Sequence, residues 1–136
     1  MAVEITGRYT ENLRVEAVHG PSGATLTTAA PVDNNGDGSS FSPTDLVATA
    51  MATCMLTVMG IKAQQRGLDL SGCTFRVEKH MRSDPRRIDR LPIVIEMPAG
   101  LSAEDRKVLE RTAHTCPVHR SVLDAIDKPV EFVYPD

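Results

Sequence analysis

The sequence predicts an α+β fold, and three observations carry that prediction. Apolar and polar residues alternate with period two over residues 3–30. One long apolar helix follows, over residues 42–67. Strand patterns then return on either side of a second helix, which is broken by a proline. Strands grouped before and after helices, without a regular βαβ alternation, make an α+β arrangement. A single domain over residues 1–136 is expected, because a chain of this length is of ordinary domain size.

The first strands are "VEITGRY", "LRVEAVHG" and "ATLTTAAP", separated by the turns "TEN" and "GPSG". The segment "DNNGDGSS" is a loop. In the helix after it, Ser42 or Thr44 is the cap, Pro43 lies near the start, Asp45 sits in the first turn and Gly67 is the stop. Leu46, Val47, Ala50, Met51, Cys54, Met55, Val58 and Met59 make its middle apolar nearly all round. A helix of that kind is expected to be buried on every side. "SGCTFRVEKHMRSD" and "LPIVIEM" read as strands, with Pro92 at an edge or a start. Ser102, followed by Glu104 and Asp105, opens the second helix. That helix meets Cys116-Pro117 and restarts as "PVHRSVLDAI", and "PVEFVYPD" closes the chain as a strand.

Composition excludes several classes. A net charge of −3 without a basic block argues against nucleic acid. No strictly apolar run approaches eighteen residues, so no membrane span is expected. The N-terminus has charges and no apolar core, unlike a signal peptide. A cytoplasmic location follows as an expectation. In that compartment three cysteines are read as free, catalytic or metal-bound thiols rather than structural disulfides.

Asp33, Asn35, Asp37 and Gly38 mimic the start of a calcium loop, but its twelfth position is Thr44 where a bidentate Glu belongs. The loop is therefore read as a turn leading into the helix cap. His114, Cys116 and His119 resemble part of a zinc site without a fourth ligand, so no metal or other cofactor is assigned. Cys73 reads as a packed small hydrophobe. Cys116, placed just before Pro117, is expected to cap a new helix, where free N–H groups and the helix dipole would lower its pKa.

Cys54 lies among apolar neighbours, where a thiol is ordinarily inert. It would be reactive if another segment brought it a cation, and the candidates are Arg8 and Arg14. Arg14 should project from the face opposite to that of its apolar neighbours, although a solvated strand arginine fits the pattern equally well. If Cys54 and Cys116 are neighbours in space, one thiolate can attack a peroxide, and the second can condense with the resulting sulfenic acid. An external dithiol would then reduce the disulfide.

Two motifs carry a resemblance. "FSPTDLVATAMATCMLTV", with its cysteine eleven residues after the proline, and "AHTCPVHRSV" are similar to the paired motifs of the OsmC/Ohr family (osmotically induced protein, organic hydroperoxide resistance). The resemblance implies an OsmC-like fold, with antiparallel sheets around a long central helix in an intertwined homodimer. It also implies a thiol-dependent peroxidase acting on organic hydroperoxides and reduced by a dithiol such as a lipoyl group. On this analogy Cys54 attacks the peroxide, Cys116 resolves the sulfenic acid, and Arg14 polarises the thiolate and peroxide. The family's hydroperoxide reductases hold that arginine with a Glu directly after the proline. Here Thr44 occupies the position, and Asp45, one residue later, is expected to substitute. The departure motivates an alternative reading, a small-molecule-binding or redox-sensing protein that keeps the fold without peroxidase turnover.

Overall fold

A computed structural model describes all 136 residues, which divide into two compact units, Met1–Leu46 and Val47–Asp136. The first unit is an antiparallel meander of β1 (Ile5–Tyr9), β2 (Arg14–His19) and β3 (Thr25–Ala29). Register sets its two faces. Ile5 pairs with His19 and Tyr9 with Val15, while Ala17 pairs with Leu26 and Arg14 with Ala29. Because successive side chains alternate, Ile5, Tyr9, Val15, Ala17 and Leu26 share one apolar face. Arg8, Arg14 and Glu16 share the other with Ala29. The apolar face is open: Ile5 is 66% exposed, Tyr9 62% and Leu26 46%.

The β1–β2 turn is tight. Asn12 and Leu13 both adopt positive φ, 52° and 61°, and the Leu13 N–H donates to the Tyr9 hydroxyl at 3.1 Å. After β3 a short 3-10 turn, Val32–Asn34, leads through the glycine-rich loop to α1 (Pro43–Gln65). Ser42 caps that helix reciprocally. Its Oγ accepts from the Asp45 N–H at 3.1 Å, and its own N–H donates to Asp45 Oδ2 at 2.8 Å. This is a capping box with Asp in place of Glu, so of the two expected caps Ser42 is the one with box geometry. At the other end Gly67 takes φ 68°, and the Leu68 N–H reaches back to the Ala63 carbonyl at 2.8 Å, a helix-stop geometry only glycine enters freely.

The second unit holds the core. From α1 it takes Ala48, Met51, Ala52, Met55, Met59 and Ala63, a stripe at helical spacing. The burial on every side that its composition predicts is not found: Ala50, Thr53, Thr57 and Ile61 are exposed. The two threonines return their hydroxyls to the carbonyls of Thr49 and Thr53, each at 2.8 Å. An eighteen-residue window of α1 reaches a mean hydropathy of 1.6, long and apolar enough by composition to cross a membrane. Here its buried stripe shares a cluster with Leu91, Ile93, Ile95, Met97 and Leu109.

The strands of this unit are β4 (Thr74–Val77), β5 (His80–Arg82), β6 (Arg87–Arg90), β7 (Ile93–Glu96) and β8 (Val130–Val133). β5 and β6 form a hairpin, and the other sheet runs β4-β7-β8. β7 is its central strand, so Pro92 marks a start and not an edge. The expectation of antiparallel sheets needs one correction, since β8 lies parallel to β7, with Ile93 opposite Val130. Parallel neighbours need a long crossover. It is supplied by α2 (Ala103–Ala113) and α3 (Pro117–Ser121). Ser102 caps α2 by accepting from the Asp105 N–H, and Arg66, just past α1, donates to the same Asp105 at 2.9 Å. The first turn of α2 is thus tied to the end of α1.

Candidate active site

Helix α2 ends at Ala113, and His114 and Thr115 make the corner. The Thr115 hydroxyl donates to the Thr112 carbonyl at 2.6 Å, and the Cys116 N–H donates to Ala113 at 3.2 Å. Pro117 then occupies the first position of α3, where its missing N–H costs nothing. Cys116 is the cap residue, as its place before Pro117 predicts, and its Sγ accepts from the His119 N–H at 3.4 Å. The chain breaks its helix there and turns the Cys116 side chain into the core, where it is fully buried.

Cys54 is half-buried on α1. Its thiol adjoins that of Cys116 and perturbs it, so two cysteines sixty-two residues apart in sequence form one pair. The pair reverses the expected titration of Cys116. Burial pushes its pKa up first, and the adjoining Cys54 thiol pushes it further. The N–H groups of His119 and Val118 act in the opposite direction and are outweighed. The α3 helix is a single turn of five residues, and its terminal N–H groups do not offset the loss of water around the sulfur. Cys116 therefore sits in the pair as a protonated thiol at neutral pH. Condensation with a sulfenic acid needs a second sulfur in reach, and Cys116 supplies it, giving up its proton as the S–S bond forms and water leaves.

The histidines flank this corner. Their rings meet edge to face at 5.8 Å, and His114 also meets Phe132 at 6.2 Å. Burial holds His119 below the usual imidazole range, with Lys128 and His114 adding to that and Asp124 opposing it. They do not gather with Cys116 into a group of three that could hold a metal ion. Cys73 is half-buried against the core, and burial pushes its thiol up. It is the packed cysteine its sequence position predicts.

The predicted charged residues lie in the Met1–Leu46 unit. Arg8 is mostly exposed and pairs with Glu16 at 3.7 Å. Arg14 is more enclosed. Its Nη2 donates to Asp37 Oδ2, and at 3.1 Å to Ser39 Oγ. Asp45 engages the Ser42 N–H in the capping box. The carboxylate paired with Arg14 thus comes from the loop of residues 33–40, which sequence reading treats only as an imperfect calcium loop. The available signal was the Asp-Gly-Ser run. In it Asp37 accepts from the Ser39 N–H at 3.0 Å, a side-chain turn that fixes its carboxylate.

Two neighbouring thiols, one buried at a helix cap and one on a long helix, define a two-cysteine thiol protein on an α+β frame. The chain belongs to the OsmC-like protein family, whose sequence pattern matches residues 36–130. A solved protein from Psychrobacter arcticus, provisionally described as an osmotic stress induced and detoxification response protein, is 42% identical over 94% of this chain and 93% of its own, with a TM-score of 0.90. The organic hydroperoxide resistance protein OsmC of Legionella pneumophila shares the fold at 20% identity, with a TM-score of 0.72 over 98% of this chain and 97% of its own. An OsmC-like protein of Mycoplasma pneumoniae does so at 15%, with 0.79 over 98% and 97%. No curated protein matches the chain in sequence.

Proposed function

We propose that the protein is a cytoplasmic, homodimeric thiol peroxidase that reduces organic hydroperoxides, its whole chain acting as one OsmC-like domain. The observation that carries this reading is the Cys54–Cys116 pair, a half-buried thiol on α1 adjoining the buried thiol at the cap of α3. The Cys54 thiolate attacks the peroxide O–O bond. Sulfenic acid forms on Cys54, and the alcohol leaves with a proton. The Cys116 thiol condenses with the sulfenic acid, releasing water and closing a disulfide. A dithiol of the lipoyl type reopens it by exchange and is itself oxidised. Arg14 is the cation assigned to thiolate and peroxide. The name of the Legionella relative and the stress-response description of the Psychrobacter protein fit this reading.

The open apolar face of the meander supports the homodimer, because a three-stranded sheet exposing Ile5, Tyr9 and Leu26 would otherwise leave a wet apolar patch. A redox sensor or small-molecule binder without turnover is the second reading, favoured by Thr44 at the position after Pro43. One experiment separates them: peptide mass after one equivalent of cumene hydroperoxide, followed by turnover with a dithiol in excess. A Cys54–Cys116 disulfide with multiple turnovers supports the peroxidase. A disulfide without turnover supports the sensor, and unmodified thiols after many equivalents refute both redox readings.

A further inference from the structure

Three of the four non-glycine residues with positive φ, Asn12, Leu13 and Asn35, line one polar cavity of about 480 Å³ together with Arg14, Gly36 and Asp37. Left-handed backbone is costly for a residue with a Cβ, most of all for leucine, and persists where its surroundings enforce it. The enforcement is visible. Leu13 is held by the Tyr9 hydroxyl through its N–H, and its carbonyl accepts from the Ala30 N–H at 3.2 Å. Across the cavity the loop is pulled onto that same Ala30. The Gly38 N–H donates to the Ala30 carbonyl at 3.2 Å, and the Gly36 N–H donates to Pro31 at 2.9 Å. A Cβ on Gly36 would stand 1.8 Å from the Ala30 oxygen, so only glycine allows the approach. What the two strained turns bring together is Arg14 from one and Asp37 with Ser39 from the other. The Asp37 carboxylate is divided between them: Oδ2 takes the guanidinium, and Oδ1 takes the Ser39 N–H.

We infer that Asp37 is the positioning residue for Arg14, the loop of residues 33–40 supplying the carboxylate that orients the guanidinium. The inference rests on the peroxidase reading for what Arg14 is oriented toward, but the contact itself does not. A carboxylate fixed by a backbone N–H restricts the long arginine side chain to one direction, which is how a charge is aimed at a reacting group without touching it.

The test uses the full-length protein and the variants Asp37→Asn, Asp37→Glu, Ser39→Ala, Arg14→Ala and the double variant Arg14→Ala/Asp37→Asn. Two readouts are taken: kcat/KM for cumene hydroperoxide with a dithiol, and the rate at which phenylglyoxal modifies Arg14, followed by peptide mass. Asp37→Asn is expected to lower kcat/KM about tenfold and to make Arg14 several-fold more reactive toward phenylglyoxal. Asp37→Glu should recover part of the activity, and Ser39→Ala should cost about two- to threefold. In the Arg14→Ala background Asp37→Asn should cost nothing further, which a merely structural role would not produce.

Unchanged kcat/KM, additive losses in the double variant, or faster turnover in Asp37→Asn would overturn the assignment, the last because Asp37 would then be a latch that withholds Arg14. If the wild-type protein does not turn over peroxide, the peroxidase reading has failed by itself. Phenylglyoxal protection then decides the Asp37 contact alone, and equal Arg14 reactivity with and without the carboxylate refutes it.

Discussion

The Val47–Asp136 unit gathers fifteen buried apolar residues into one cluster, whereas the Met1–Leu46 unit buries a single one, Ala29. The two units also hold their candidate functional groups by different means. Cys54 and Cys116 are placed by packing: one rides on the helix whose stripe fills the core, and the other is pressed into that core by a helix cap. Arg14 is placed by turn chemistry, through two left-handed turns, a glycine approach and a carboxylate. Packing excludes water and so decides how Cys116 titrates. Turns leave the charge hydrated and decide only where it points. The difference teaches that this chain separates the control of acidity from the control of aim.

Removing a thiol should have the largest effect. Cys54→Ser is expected to abolish peroxide turnover, while Cys116→Ser should permit one oxidation and then stall with sulfenic acid on Cys54. Dimedone labelling after a single equivalent of peroxide checks this. Full turnover in Cys54→Ser would separate the activity from the thiol pair.

Packing comes next. Met55 is fully buried, so Met55→Ala should cost about 2–5 kcal/mol of stability through lost contacts and a cavity. Urea denaturation measures it. Leu26→Ala on the open face of the meander should change the stability of the folded chain by less than about 0.5 kcal/mol. Leu26→Asp should instead shift the protein toward monomer in light scattering, by placing charge on the face assigned to the dimer. A large urea effect from Leu26→Ala at concentrations where the protein is monomeric would erase the contrast between the two units.

The titration of Cys116 gives a subtler test. A group whose folded pKa is raised stabilises fully below its unfolded value, about 8.5 for a thiol, and loses that contribution as pH rises through the folded value. Stability should therefore fall on the alkaline side of about pH 8.5. Cys73 contributes with the same sign, so the informative quantity is the difference between wild type and Cys116→Ser, whose alkaline slope should be shallower. Equal slopes would mean that burial does not control this thiol.

The smallest effect should come from the cap of α1. Ser42→Ala removes one arm of the capping box and should cost about 1 kcal/mol, read as a lower urea midpoint. A much larger loss would mean that the buried Ser42 hydroxyl does more than cap.

The elements themselves were largely legible in the sequence, because what specifies them is local. Period-two alternation marks β1 to β3, the Ser42-Pro43 start and Gly67 stop bracket α1, and Cys116-Pro117 marks a helix start. Two features depart from expectation for one reason. The apolar circumference of α1 and the sheet pairing of β8 both depend on which neighbours arrive from far along the chain, and local pattern does not hold that information. Asp37 is not legible as a partner of Arg14, because twenty-three residues separate them. The glycines that bring the loop in read, in sequence, only as a turn.

The sequence by itself determined an α+β chain of the OsmC-like type, with two cysteines in paired motifs and a thiol at a helix cap. These follow from propensity, capping and spacing, which act over a few residues. Tertiary structure alone decided that Cys54 and Cys116 meet, and that the buried Cys116 holds its proton against the N–H groups of its own helix. It also decided that Arg14 takes its carboxylate from the loop. Each of these depends on desolvation or on a contact made across many residues, and such terms come into being only when the chain has closed around them.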